Sequence, residues 1–97
     1  MFVKKLPKNI INNEDVKQLV RSSGSVGANY IEANEALSKK DFVHRIKICR
    51  KESKESRYWL KLIDLGEVEA FDNERDRLVN ESTELMKIFG SIVVKSD

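Results

Sequence analysis

The sequence holds one cysteine, one histidine, one proline and four glycines in 97 residues. A single cysteine excludes an intrachain disulfide. A single histidine with no cysteine nearby cannot make a zinc site, and no Glu-x-x-His pair offers a di-iron bundle site. Scarce proline and glycine argue for a few long elements rather than many short strands. No apolar run reaches membrane-spanning length and no signal peptide is evident, so the expected location is cytoplasmic. What is present is 40% hydrophobic and 35% charged residues in 11.2 kDa. That balance excludes a disordered tail or a collagen-like repeat and fits one helical domain over residues 1–97.

Charge is unevenly spread. Residues 1–66 carry 14 Lys and Arg against 8 Asp and Glu, a balance of +6, and residues 67–97 carry 4 against 8, a balance of −4. A basic stretch beside an acidic one suggests polar complementarity, inside the fold or with a partner, or else an ordinary solvated face balanced by a neighbouring helix.

Three helices follow from periodicity and caps. Pro7 terminates any local helix at the N-terminus. Asn12 is the expected N-cap of the first long helix, with Asp15 at the third position and Ile11 and Val16 as hydrophobic staple. Val16, Leu19, Val20, Ser23, Val26, Gly27, Tyr30 and Ile31 recur at three- and four-residue spacing to about residue 36. Gly24 and Gly27 within it predict close approach of another backbone. Ser38 caps the second helix, with Asp41 at the third position and Leu37 and Phe42 as staple. Its seam is Phe42, Ile46, Cys49, Ser53, Ser56, Leu60 and Ile63, with small residues in the middle where helices can approach. Gly66 is its expected stop, which gives a helix about 40 Å long at 1.5 Å per residue. The third helix starts within residues 71–74, with Asp72 or Asn73 as cap. Leu78, Ser82, Leu85, Phe89 and Ile92 form its seam. Val79, Met86, Ile88 and Val93 widen the apolar face beyond one intramolecular seam, which suggests an intersubunit surface. The tail from Lys95 is expected to fray.

Few constellations could carry chemistry. His44 reads as an exposed surface histidine. Cys49 lies on the second helix's seam and reads as a buried thiol, since no histidine lies one turn away. Glu32 with Glu35, and Glu52 with Glu55, could hold a metal or act as an acid–base pair. Their basic neighbours Arg50, Lys51, Lys54 and Arg57 favour ion pairs or hydrogen bonds within the bundle instead. Asn29 and Glu32 are a further polar pair, placed to anchor the first helix to the second. Lys40, Lys47, Lys54 and Lys61 recur every seven residues, with Arg50 and Arg57 beside them, on an arc of about 100°. Such a stripe can follow a phosphate backbone without reading bases, or it can be an ordinary solvated face. Tyr58 and Trp59 adjoin the stripe and read as packing or interface residues.

Two stretches carry a resemblance. One is Leu19-Val20-Arg21-Ser22-Ser23-Gly24-Ser25-Val26-Gly27-Ala28-Asn29-Tyr30, followed by Glu32-Ala33 and Ser38-Lys39-Lys40-Asp41-Phe42. The other is Lys51-Glu52-Ser53-Lys54-Glu55-Ser56-Arg57-Tyr58-Trp59-Leu60. With Glu84-Leu85-Met86-Lys87-Ile88-Phe89, they resemble the bacterial four-helix-bundle proteins related to those encoded in intervening sequences of 23S ribosomal RNA genes. The resemblance covers about residues 6–93. It implies an up-and-down bundle, a ring-like homopentamer, and kinship with the nucleic-acid-binding accessory protein of diversity-generating retroelements. It implies no catalytic residues and no cofactor, and gives Asn29, Glu32, Glu52 and Glu55 the role of structural polar contacts. It also implies a full helix before Leu6-Pro7, where this sequence has only five residues. The expected fold is therefore an all-α bundle of three long helices with the family's first helix mostly missing. An apolar groove is expected in its place, leaving the bundle weakened or another chain seated there.

Two functions follow. One is a non-enzymatic, self-assembling homo-oligomeric scaffold. The other is a nucleic-acid-binding accessory protein using Lys40, Lys47, Arg50, Lys54, Arg57 and Lys61 on RNA or DNA. The two are compatible, because assembly multiplies a weak patch by avidity. A protein partner is a further possibility, and a membrane is not.

Overall fold

The computed structural model describes residue 3, residues 9–66 and residues 69–96; Pro7, Asp97 and the side chain of Ile11 lie outside the described residues. Three helices follow one another: α1 (Ile10–Asn34), α2 (Lys39–Leu62) and α3 (Glu69–Ser96). No strand occurs among the described residues. Helix α2 is the central element, with α1 and α3 both packed along it. The pairing is antiparallel. Along α1 and α2, Asn12 meets Asp64, Ser22 meets Ser56, and Asn29 meets Arg45. Along α2 and α3, Arg57 meets Thr83 and Arg50 meets Gly90.

The caps divide into one expected and one displaced. Ser38 caps α2 and accepts from the Asp41 N–H at 3.1 Å, because serine and aspartate at this spacing satisfy the free amides of the first turn locally. The cap of α1 is Asn9 rather than Asn12: Asn9 Oδ1 accepts from the Asn12 N–H at 2.8 Å. Asn12 is instead buried one turn inside the helix. Its Oδ1 accepts from the Asp64 N–H at 2.9 Å and its Nδ2 donates to the Asp64 carbonyl at 3.2 Å. An asparagine side chain has the donor and acceptor of a peptide group, so it ties off the backbone just beyond α2. Helix α2 stops at Leu62, short of Gly66, and Gly66 sits at φ 69, which glycine alone adopts without strain. Helix α3 already runs at Glu69, which places both Asp72 and Asn73 inside the helix instead of at its cap. Lys95 and Ser96 remain helical, and Ser96 Oγ donates to the Ile92 carbonyl at 2.7 Å, so the expected fraying is not seen there.

The α2 seam falls as its spacing requires: Ile46, Cys49, Ser53, Ser56, Leu60 and Ile63 are buried. They build two apolar clusters. One joins Leu19, Leu60, Ile63 and Leu65, and the other joins Ala33, Ile46, Cys49 and Phe89. Between them lies a layer of small hydroxyls. Ser53 Oγ donates to the Cys49 carbonyl at 2.8 Å, and Ser56 Oγ lies 2.9 Å from the Glu52 carbonyl and 3.0 Å from Ser22 Oγ. Each hydroxyl is satisfied by its own helix, so burial costs little, and the small side chains let α1 and α2 approach. The two glycines of α1 behave differently from the sequence expectation. Among the described residues a Cβ on Gly24 or Gly27 meets nothing within 4 Å, so no described backbone comes close to either.

Candidate functional site

The polar residues singled out in the sequence are distributed along the α1–α2 contact. Glu52 is almost fully buried and accepts from Arg21 Nη1 at 3.1 Å, while Glu55 takes Arg21 Nη2 at 2.6 Å. One guanidinium of α1 thus bridges two carboxylates one turn apart on α2. Those carboxylates hold the Arg21 pKa above its ordinary value, the hydrogen bond from Glu55 first. The sequence suggested partners from the same helix, Arg50, Lys51, Lys54 and Arg57, whereas the structure supplies Arg21 from the neighbouring one. Asn29 Oδ1 accepts from Arg45 Nη1 at 3.1 Å, and its amide donates to the Ser25 carbonyl at 2.9 Å. Asn29 therefore links α1 to α2. Glu32 is exposed and takes no part in that link.

Cys49 is buried and donates through Sγ to the Val26 carbonyl at 3.6 Å. Burial pushes its pKa up, so the thiol is held protonated and poorly nucleophilic. His44 is exposed on α2. Among the described residues, no group of three or more His, Cys, Asp or Glu side chains is placed to hold a metal ion.

The basic stripe divides. Lys40, Lys47, Lys54 and Lys61 are exposed along the outer face of α2, and Lys51 shares that face. Arg57 turns inward, because its edge of the arc borders the buried position of Ile46, whereas Arg50 stays exposed. Arg57 Nη1 donates to Thr83 Oγ1 at 3.3 Å, and Arg50 Nε lies 3.6 Å from where a Cβ on Gly90 would stand. Arg57 belongs to the α2–α3 contact, while Arg50 borders Gly90 of α3 and remains exposed beside the lysine row. The three carboxylates of α2 are all engaged by arginines: Asp41 lies 4.0 Å from Arg45, and Glu52 and Glu55 share Arg21. Among the described residues no carboxylate pairs with the five lysines.

A groove runs between α1 and α3 over the surface of α2. Val20 and Gly24 form one wall, Leu78 and Leu85 the other, Ser56 and Leu60 the floor, and Val3 stands at one end; this part encloses about 480 Å³. It continues past Gly27 and Ile88 to Tyr30, whose ring centroid is 6.3 Å from that of Phe89. Val20 is 47%, Leu85 39% and Ile88 52% exposed. Of the residues that widen the apolar face of α3, Ile88 borders this groove, whereas Val79 and Val93 pack on the two core clusters and Met86 lines a separate hollow with Arg50 and Gly90. Among the described residues no helix is long and apolar enough to cross a membrane.

Comparison with known proteins places these features. A crystal structure of a protein of unknown function, from the S23 ribosomal protein family of Bacteroides thetaiotaomicron, is similar with a TM-score of 0.70 and 37% identity. The likeness covers 81% of this chain and 72% of that one. No curated protein matches the chain. The family model for the 23S rRNA-intervening sequence protein matches residues 2–91, which takes in all of α1 and α2 and most of α3. On that match over nearly its whole length, the chain belongs to the 23S rRNA-intervening sequence protein family.

Proposed function

We propose that the protein is a self-associating helical scaffold without catalytic chemistry of its own, and that the groove between α1 and α3 is its subunit contact. The observation that carries this reading is the groove itself. On α1, Val20, Gly24, Gly27 and Ile31 follow a four–three–four spacing, which is the seam a further helix packs against, and Val20 and Ile31 are 47% and 64% exposed. No side chain of that seam is charged. Leu85 and Ile88 face it from α3. A second copy of the chain supplies such a helix in α3, whose apolar residues already border the groove, and a head-to-tail contact in which each copy's α3 edge enters the next copy's groove buries the apolar surface of every copy and closes into a ring. A ring of five is the stoichiometry implied by the resemblance in the sequence. Sedimentation of the wild-type chain and of a Leu85→Glu, Ile88→Glu variant is the test. The variant is expected to be monomeric and helical, and an unchanged oligomer removes the groove from the contact.

A second reading is favoured by the unpaired lysines. Five cations on one helix face with no carboxylate to neutralise them suit a polyanion, and nucleic acid is the polyanion that fits a straight row of charge. Replacing Lys47, Lys54 and Lys61 by Glu is expected to abolish nucleic-acid binding and leave assembly intact. Loss of assembly instead makes the lysine face a subunit contact.

A further inference from the structure

We propose that the outer face of α2 is a binding site for single-stranded nucleic acid, in which Tyr58 stacks on an unpaired base while the lysines hold the flanking phosphates. The inference deepens the nucleic-acid reading and rests on it. At 3.6 residues per turn, Tyr58 lies on the axis of the lysine row: Lys54 precedes it by four residues, Lys51 by seven, and Lys61 follows by three. The residue is 57% exposed, although the sequence suggested packing. Its ring is not loose. It meets Trp59 edge to face, with centroids 5.0 Å apart and planes at 74°, and Trp59 is itself packed against the Leu19–Leu60 cluster. The aromatic is therefore braced from the core side and open on the solvent side. Nearby Glu55, the one carboxylate within a turn of Tyr58 on α2, is turned to Arg21 and does not repel a phosphate there.

This combination separates ligands. A duplex satisfies lysines through its phosphates but hides the faces of its bases, whereas a single strand offers both. From Lys40 to Lys61 the row runs about 31 Å along the helix, enough for several nucleotides around one stacked base. A phosphate-only site has no use for an exposed, braced aromatic between Lys54 and Lys61 of its row.

The test is fluorescence anisotropy of the full chain with a labelled single-stranded oligothymidylate and with a duplex of similar charge, each at two salt concentrations. The expected result is tighter binding to the single strand. Tyr58→Ala is expected to weaken single-strand binding about 5- to 100-fold with little effect on the duplex, and Tyr58→Trp to preserve it. The logarithmic salt slope on the single strand is expected near −3, about 0.7 per lysine contact. An unchanged affinity in Tyr58→Ala, with the helical content of the wild type, overturns the stacking role and leaves the lysine site standing. Equal affinity for the two ligands does the same. Failure of the wild type to bind either ligand at low salt, or unaltered binding after Lys47, Lys54 and Lys61 become Glu, overturns the stacking role together with the reading beneath it. If Tyr58→Ala lowers self-association instead, the ring is a contact between copies and the inference is wrong.

Discussion

Asn12 holds the end of the bundle by imitating a peptide group. Its amide exchanges two hydrogen bonds with the backbone of Asp64, and the residue is almost wholly buried. Asn12→Ala leaves that backbone N–H and carbonyl without their partner. The expected cost is about 1–3 kcal/mol, a fall in Tm of roughly 4–8 °C per kcal/mol, measurable by thermal or urea denaturation. Asn9→Ala removes only a helix cap, at about 1 kcal/mol, so it is expected to be the milder of the two. The difference between these asparagines was not legible in the sequence. Asn9, Asn12 and Asn13 all satisfy the local grammar of a cap, and the partner that claims Asn12 is 52 residues away. Arg21 was missed for the same reason, since its carboxylates are 31 and 34 residues distant. Ser38 was legible because its partner, the Asp41 amide, is three residues on. Cys49 gives a prediction about pH. Burial raises its folded pKa, so its contribution to stability is whole below the unfolded value of about 8.5 and is lost as pH rises through the folded value. Alkaline denaturation of Cys49→Ala is expected to show a shallower pH dependence than wild type. Equal slopes would assign the alkaline loss to other groups.

At the scale of elements, periodicity exposed the seams but not their partners. The four–three spacing of α2 specified its buried face because that face is covered along its whole length by α1 and α3. On α1 the same logic located apolar positions without telling which are covered. Gly24 and Gly27 were read as a point of close approach, yet among the described residues both face open space. Their arrangement leads to a paired prediction. In the monomeric Leu85→Glu, Ile88→Glu background, Gly24→Ala adds a Cβ where nothing obstructs it and is expected to stabilise by about 1 kcal/mol through helix propensity alone. In the wild type, on the proposal that a second copy packs on that face, the same substitution is expected to weaken association. Gain of stability in both backgrounds, with association unchanged, places the glycines outside any contact. The lysine stripe was legible for a related reason. Its seven-residue repeat puts four side chains in one line whatever the neighbours do, while the inward turn of Arg57 depends on where α3 lies.

The whole molecule is 47 Å long and about 20 Å across, with α1 and α3 both packed on α2 and, among the described residues, a groove between them. Its two surfaces differ in chemistry. The groove is apolar and neutral on its α1 side, which suits another helix, and the outer face of α2 is cationic, which suits a polyanion. They lie on different sides of α2, so assembly through one leaves the other available, and a multimer presents several lysine rows at once. The most direct measurement is sedimentation equilibrium of the wild-type chain beside Leu85→Glu, Ile88→Glu over a range of concentrations. Association of the wild type and a helical monomer for the variant are the expected results. A wild type that stays monomeric to high concentration, or a variant that assembles as the wild type does, contradicts the groove as a subunit contact.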